Sequence, residues 1–533
     1  MKKLPVGIQS FRKIVEGDYV YVDKTRFVYD LISGASYYFL SRPRRFGKSL
    51  LLDTMAEAFK GNKELFKGLW IYSSGYNFEK HPVIRLDMSN ISNETPEILK
   101  ASIALELSNK IRAEELSIPD GNPADMIKIL IEELHKKYNQ RVVVLVDEYD
   151  KPILDQLSNI MIAESNREVL RGFYGVLKSM DPHLRFVFIT GVTKFTRTAI
   201  FSGLNNLLDI TLSAKYANIC GIATDELGSY FSEHIRSLSD NKNFVYYDNI
   251  HDEILGWYDG YSWDGESKVI NPFSLLCFFE LQRFAGFWYA SGTPKFLIDI
   301  IKKDPGVYIN IKNAKATELM LDSADLARLE PVSLMFQSGY LTVKDIDYSR
   351  GSPIYYLVIP NREVREAFNL HIISGFTEGG DTSAQVAKID MEDALREGNL
   401  QKVLSLLKGL FASIPYNLHV DVEAYYHSIF YAIMTVLGFN VDAEVSVSKG
   451  RIDSVLELGD KVYIIEFKYV KCDADASAED KKKLVEKALE EGMTQIKSKG
   501  YYDKYAGSGK SIHLAAFAFI GRDAIEMKAE IYG

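Results

Sequence analysis

The order of apolar and polar positions divides the chain into a part where strands and helices alternate, a helical middle and a compact α/β tail. Short apolar runs at 37–40, 83–88, 142–146 and 185–190 have the length and the β-branched or aromatic content of buried strands, and a fifth strand is expected near 207–212. Between them, 95–115 and 123–138 are rich in Leu, Ile, Glu and Lys, and 49–59 has helical character. That alternation predicts a parallel sheet covered by helices. Residues 216–300 read as mainly helical and aromatic, with Trp257, Tyr258, Phe278, Phe279, Phe287 and Trp288. Residues 315–368 read as two helices, a strand YLTVK, a turn around 349–353 and a strand YYLVI, a winged-helix-like pattern. The Gly, Ser and Thr-rich stretch 373–385 reads as a linker. No internal repeat is visible.

Composition then narrows the class. The 533 residues are 47% hydrophobic and 25% charged, which excludes a fibre or wholesale disorder. That length suits roughly three to five folding units. The formal charge of −9 argues against a uniformly basic nucleic-acid coat but leaves local basic regions open. Three cysteines, Cys220, Cys277 and Cys472, are far apart, so neither a disulfide framework nor a cysteine-rich zinc site is expected, and a reducing cytoplasm is the simplest location. The start MKKLPVGIQSF meets Pro5, Gly7 and Gln9 before a signal-peptide core can form. The longest apolar run, 429–439, falls short of the roughly 20 residues of a membrane span and reads as a buried helix.

The first chemical motif is SRPRRFGKS, 41–49, placed after an expected strand and at the start of an expected helix. Backbone N–H groups at such a turn can cradle phosphates. Arg45, Phe46, Gly47, Lys48, Ser49 and Leu50 form the candidate nucleotide loop, with Lys48 on the β- and γ-phosphates and the Ser49 hydroxyl on Mg²⁺. The standard spacing would put a glycine at position 42, where this chain has Arg42. A bare GKS tripeptide carries little by itself.

The second motif, RVVVLVDEYDKP (141–152), supports it. A buried strand ending in Asp147 can hold the Mg²⁺ shell, and the next carboxylate, Glu148, can orient or deprotonate the attacking water. A core strand ending in a solvated acidic turn would give the same letters, but not a phosphate loop upstream. In FVFITGVTKF (186–195), Thr190 or Thr193 would sense the γ-phosphate, with Thr190 taken as the cofactor-binding residue. Arg44, Arg45, Lys194 and Arg197 are candidates for transition-state charge or for solvent-facing roles.

In the tail, 441–446, 451–456 and 461–469 read as three strands joined by tight turns. Period two puts Glu466 and Lys468 on one face, with Asp453 on a neighbouring strand. Asp453 and Glu466 would bind one or two Mg²⁺ ions, and Lys468 would position or activate water for phosphodiester hydrolysis. The plain alternative is an exposed Glu and Lys on an amphipathic strand.

FLSRPRRFGKSLLL, VVVLVDEYDKP, FITGVTKF, IFSGLNNLLDITL, GRIDSVLE and VYIIEFKY together resemble the bacterial AAA-ATPase-like proteins that carry a C-terminal PD-(D/E)XK nuclease-like domain. The resemblance runs from VGIQSFRKI and YVDKT to the tail, and Arg42 matches that family's own loop pattern. It implies an α/β multidomain chain: a P-loop AAA/STAND-like ATPase with a parallel sheet (1–215), a helical lid (216–312), a winged-helix-like domain (313–372), a linker (373–385) and a restriction-endonuclease-like nuclease domain (386–533). It also implies a helix-borne carboxylate in the metal shell, Glu423, with Glu444 as the alternative. Gln495 would contact substrate or metal-bound water, or lie exposed. His427 shares a helical face with Glu423 but reads as a core or capping residue, and the lysines 481–483 read as a solvated face.

Regional charge tempers the nucleic-acid reading. Residues 1–60 hold 11 Lys or Arg against 6 Asp or Glu, whereas 401–533 hold 17 against 19. The segment EPVSLMFQS (330–338), the expected recognition helix, has no Lys or Arg, which favours a packing role. The sequence thus points to an ATP-binding and ATP-hydrolysing protein coupled to a metal-dependent nuclease. Its cofactors are ATP and Mg²⁺, with Mn²⁺ as a substitute at the nuclease-like site. Its partner is nucleic acid, DNA before RNA, with no membrane and with homo-oligomer formation left open. The other reading is a nucleotide-gated switch or scaffold whose tail binds nucleic acid without cutting it.

Overall fold

In a computed structural model of the chain, the apolar runs of the first part pair as five parallel strands: β1 (Tyr37–Ser41), β2 (Val83–Asp87), β3 (Val142–Asp147), β4 (Leu184–Gly191) and β5 (Leu208–Asp209). Their spatial order is β2-β3-β4-β1-β5. The structure describes residues 1–194, 200–288 apart from 202, 203, 205, 239, 240, 246 and 248, then 314–322, 330–368, 380–412, 441–470 apart from 448 and 449, 477–500, 502–520 and 524–532. The described residues up to Val364 form one compact unit, and those from Arg365 onward a second.

Every residue of β1 and β3 is buried, so these strands show unbroken apolar runs instead of alternation. β2, at the edge, alternates. The covering helices α1 (Lys48–Phe59), α2 (Pro96–Ala113) and α3 (Pro123–Tyr138) start where the sequence signals a start. Thr95 and Asn122 cap the backbone N–H groups of Ile98 and Ala124, and proline opens α2 and α3. Leu99, Ile103, Leu107 and Ile111 of α2, with Met126, Leu130 and Leu134 of α3, join the strand residues in one core. Each fully buried side chain of this kind contributes about 1.5–3 kcal/mol. The fifth strand is shorter than expected, two residues, and ends in Asp209, whose carboxylate turns to a buried lysine described below.

Helix α4 (Thr224–Leu238) and helices Ile250–Tyr258 and Pro272–Leu281 share a second core, rich in the aromatic residues the sequence showed, beside the short pair β6 (Ile222–Ala223) and β7 (Val269–Ile270). A three-stranded antiparallel sheet follows, β8 (Ala314–Thr317), β9 (Thr342–Asp347) and β10 (Ile354–Val358), in the order β8-β10-β9. With helices Glu318–Asp322 and α5 (Pro331–Ser338) it makes the winged-helix-like unit. β9 starts two residues later than YLTVK suggests, because Tyr340 and Leu341 donate their N–H groups to Met335 and close α5. β8 is too short for its alternation to announce it.

In the second unit, helix Gly380–Glu397 covers the last residues of the stretch read as a linker, and 373–379 lie outside the described residues. Five strands follow in sequential order: β11 (Val441–Val447), β12 (Gly450–Leu458), β13 (Lys461–Val470), β14 (Ser511–Ile520) and β15 (Ala524–Tyr532). All neighbours are antiparallel except β13 and β14, which α6 (Ala478–Ser498) connects as a crossover. The expected helix containing Glu423 and His427, and the run 429–439, lie outside the described residues. Among the described residues no helix is long and apolar enough to cross a membrane.

Candidate active sites

The loop between β1 and α1 turns twice through left-handed backbone, at Arg45 (φ +70°) and Gly47 (φ +92°). Glycine suits the second turn, and a glycine at position 42 is not needed for either. Arg42 is instead fully buried, its guanidinium donating to the carbonyls of Ser41, Thr211 and Tyr216 and lying 3.9 Å from the ring centre of Trp263. Burial pulls its pKa down to about 10, so it stays charged and clamps the loop from beneath. Phe46 is buried edge-on against Tyr261 and Trp263, and its carbonyl accepts from the Gly221 N–H. Arg45 is exposed over Phe273. Ser49 and Leu50 sit half-buried in the first turn of α1. The Lys48 ammonium donates to the carbonyls of Arg42 (2.9 Å) and Pro43 (3.0 Å), inside the loop it would serve.

β4 lies between β3 and β1, so the ends of all three strands meet this loop. Thr190, in register with Leu40, donates its hydroxyl to buried Asp147 at 2.8 Å. Glu148 follows with a left-handed backbone (φ +50°), and burial raises its pKa, with Asp147 and Asp150 adding to the rise and Lys48 opposing it. The next two residues were not singled out by the sequence and fix the geometry. Tyr149 donates its N–H to Thr190 O and its hydroxyl to Thr193 O. Buried Asp150 accepts the N–H groups of Val192 and Thr193 and the Thr193 hydroxyl, at 2.6 Å for the last. Gly191 permits this, since a Cβ there would stand 2.5 Å from the Tyr149 ring and 2.7 Å from Asp150. The signal was the polar doublet of DEYD facing TGVT.

Thr193 therefore holds Asp150, and Thr190 is the hydroxyl at Asp147. Lys194, weighed as a transition-state cation, is buried between Asp209 (2.9 Å) and Asp322 (2.6 Å). Its N–H bonds the Gln337 side chain of α5, which ties the end of β4 to the winged-helix-like unit. Arg44 is half-buried near Glu148, lowering the latter's pKa, and Arg197 lies outside the described residues.

In the second unit, β11, β12 and β13 align positions 444, 453 and 466 in one row: Ala443 pairs with Ser454, Val445 with Ile452, and Ser454 with Ile465. Glu444, Asp453 and Glu466 thus fall on one face by register. Glu466 is 1% exposed. Lys468, two residues on, donates to Glu466 (3.1 Å) and to the Gln495 side chain of α6 (2.9 Å). Gln495 is half-buried and holds the lysine. α6 reaches this face because Gly492 packs on Ala516, where a Cβ would stand 2.9 Å away. The lysines at 482 and 483 pair with Glu486 and Glu479 along α6, as a solvated face does. Glu423 lies outside the described residues.

Both sites present oxygen donors. Ser49, Asp147 and Thr190 in the first suit a hard cation that keeps much of its water shell, and a buried Glu466 beside two carboxylate positions in the second suits the same class of ion. Among the described residues, no three His, Cys, Asp or Glu side chains converge as a preformed metal cage.

The family described as predicted AAA-ATPase matches residues 5–201, and the PD-(D/E)XK nuclease superfamily matches residues 421–528. A relative from Azotobacter chroococcum mcd 1, described as an uncharacterized protein in the vnfD 5' region, is 37% identical over 525 residues, spanning 97% of this chain and 96% of its own length. Among solved structures, the Aeropyrum pernix ORC2 protein (ADPNP-ADP complexes) shares 11% identity, covering 68% of this chain and 98% of that one, at a TM-score of 0.29, a likeness that carries no argument.

Proposed function

Because the chain belongs to the family of AAA-ATPase-like proteins with a C-terminal PD-(D/E)XK nuclease-superfamily domain, we propose that it hydrolyses ATP at the β1–α1 loop and cleaves nucleic-acid phosphodiesters at the β12–β13 site. The observation that carries the reading is the meeting of Lys48, Asp147, Glu148 and Thr190 at the ends of three adjacent strands. Lys48 would leave the Arg42 and Pro43 carbonyls for the phosphates. Ser49 and Asp147 would hold Mg²⁺, which supplies charge neutralisation on the phosphates when bound. Glu148, its pKa raised by burial, would take the proton of the attacking water.

In the nuclease-like domain Asp453 and Glu466, with Glu444 or Glu423, would hold Mg²⁺ or Mn²⁺, and Lys468, held by Gln495, would orient the water. The domain limits proposed are 1–215 for the ATPase, 216–312 for the lid, 313–372 for the winged-helix-like unit, 373–385 for the linker and 386–533 for the nuclease. The deciding experiment is a screen of single-stranded, double-stranded and branched DNA and of RNA, with Mg²⁺ or Mn²⁺ and with or without ATP. Cleavage that disappears in Asp453→Ala and Glu466→Ala supports the nuclease; binding without cleavage under every condition supports a nucleotide-gated switch instead.

A further inference from the structure

We propose that Asp150 is a positioning residue for ATP hydrolysis: by fastening the end of β3 to the end of β4 it holds Glu148 at the attacking water, an inference that rests on the phosphate-loop reading above. Asp150 stands at the start of the one-turn helix Lys151–Leu154, where an aspartate ordinarily accepts from the helix's own first N–H groups. Its carboxylate makes no such cap. It reaches across to β4 instead, taking the Val192 N–H at 3.1 Å and the Thr193 N–H and hydroxyl at 2.6 Å each. A carboxylate with 1% exposure gives up water that a surface cap would keep, so its bonds serve the two strand ends and not the short helix.

The residue that depends on this fastening lies two positions back. Glu148 has left-handed backbone (φ +50°), which a residue with a Cβ keeps only where its surroundings impose it. Among the described residues its carboxylate accepts no hydrogen bond, and what acts on it is the charge of Lys48, Asp147, Asp150 and Arg44. The backbone therefore sets its aim. That backbone is tied to β4 by the Tyr149 N–H on Thr190 O (2.9 Å), the Tyr149 hydroxyl on Thr193 O (3.0 Å) and the Asp150 carboxylate. The anchor is itself held at its next residue, because the Lys194 N–H donates to the Gln337 side chain and its ammonium lies between Asp209 and Asp322. A shift of about 1 Å in a reacting group costs on the order of 10²-fold in rate.

Steady-state hydrolysis of ATP by the full-length chain in Mg²⁺, with ATP affinity measured alongside by calorimetry, tests this. Asp150→Asn keeps one acceptor oxygen and turns an amide NH₂ toward the β4 donors. Its kcat should fall about 10- to 100-fold, while KM and ATP affinity change less than about threefold. Thr193→Val, which deletes only the hydroxyl, should lower kcat about 10-fold, and Thr193→Ser should restore it. In a Glu148→Gln background Asp150→Asn should cost no more than about a further threefold, because a residue that acts through Glu148 then has no base to position. A folded Asp150→Asn variant with natural kcat, a loss carried by ATP affinity instead of kcat, or a full further loss on Glu148→Gln overturns the role. Should Asp150→Asn not fold, Thr193→Val and Thr193→Ser decide by the same criteria. If the natural chain does not hydrolyse ATP, or does so equally well as Lys48→Ala, the phosphate-loop reading fails and this role falls with it. Hydrolysis lost in Lys48→Ala and Glu148→Gln but untouched in the Asp150 and Thr193 variants leaves that reading standing and removes Asp150 from it.

Discussion

Gly339, the residue that ends α5, is pressed against Pro43 of the phosphate loop: a Cβ on Gly339 would stand 2.8 Å from the Pro43 Cβ, on a backbone with φ +92°. The same helix reaches the end of β4 through Gln337 and Lys194. Pro43 in turn gives its carbonyl to Lys48. The winged-helix-like unit thus touches both the loop between β1 and α1 and the end of β4. Gly339→Ala meets both an unfavourable φ and a clash, at a cost of about 1–3 kcal/mol. Its melting temperature should fall by several degrees, and its ATP affinity should change with it. A variant that melts and binds as the natural chain does would show that the contact is slack.

Lys48 and Glu148 should separate binding from chemistry. Lys48→Ala removes the ammonium now held by Arg42 O and Pro43 O and should abolish measurable ATP binding. Glu148→Gln keeps the shape and should retain binding while slowing hydrolysis by about 10²- to 10⁴-fold, the range lost with a general base. Because burial raises the Glu148 pKa, hydrolysis by the natural chain should fall off on the acid side at a higher pH than an ordinary glutamate would give. Single-turnover rates across pH, with binding measured in parallel, check both points.

Gln495 accepts from Lys468 at 2.9 Å, so in the proposed nuclease it would position that lysine. Gln495→Leu should reduce cleavage about 10- to 100-fold, the usual cost of removing an outer-shell partner. Gln495→Glu keeps an acceptor for the ammonium and should recover part of that loss. Divalent-metal affinity, followed by calorimetry, should change less than the cleavage rate in both. A larger loss of metal affinity than of rate would place Gln495 on the ion instead.

Much of the ATPase fold was legible because each strand of the sheet is either fully buried or at an edge, and the two cases leave different hydrophobic periods. The β3 run 142–146 and the starts of α2 and α3 at Pro96 and Pro123 fall within a residue or two of their expected places. The places of Asp147, Glu148, Lys48 and Lys468 in the fold were legible because each closes, follows or alternates within an apolar strand or opens the helix after the loop. The roles of Arg42, Asp150 and Gln495 were not, because each acts on a partner distant in sequence: Thr211, Thr193 and Lys468. A buried arginine reads in sequence like an exposed one, and only its three carbonyl partners and Trp263 identify it as a clamp. For the same reason the sequence favoured Thr190 without showing what Thr193 does, which is to hold Asp150.

Glu363 gives the molecule a pH-dependent weakness outside either site. It is fully buried, accepting the Ser274 hydroxyl at 3.0 Å and the Trp288 N–H at 2.8 Å, and burial pushes its pKa up to about 7. A carboxyl whose folded pKa lies above its unfolded value near 4.5 binds more protons when folded. Its favourable contribution is therefore complete below about pH 4.5 and is lost as pH rises through about 7. Glu363→Gln keeps an acceptor for both donors and cannot ionise, so it removes that loss. Relative to the natural chain, the variant should gain on the order of 1–3 kcal/mol between pH 5 and pH 8, read as a melting-temperature difference that grows with pH. A difference that is constant across that window would mean that Glu363 stays ionised in the folded protein, with its charge balanced by groups other than Ser274 and Trp288.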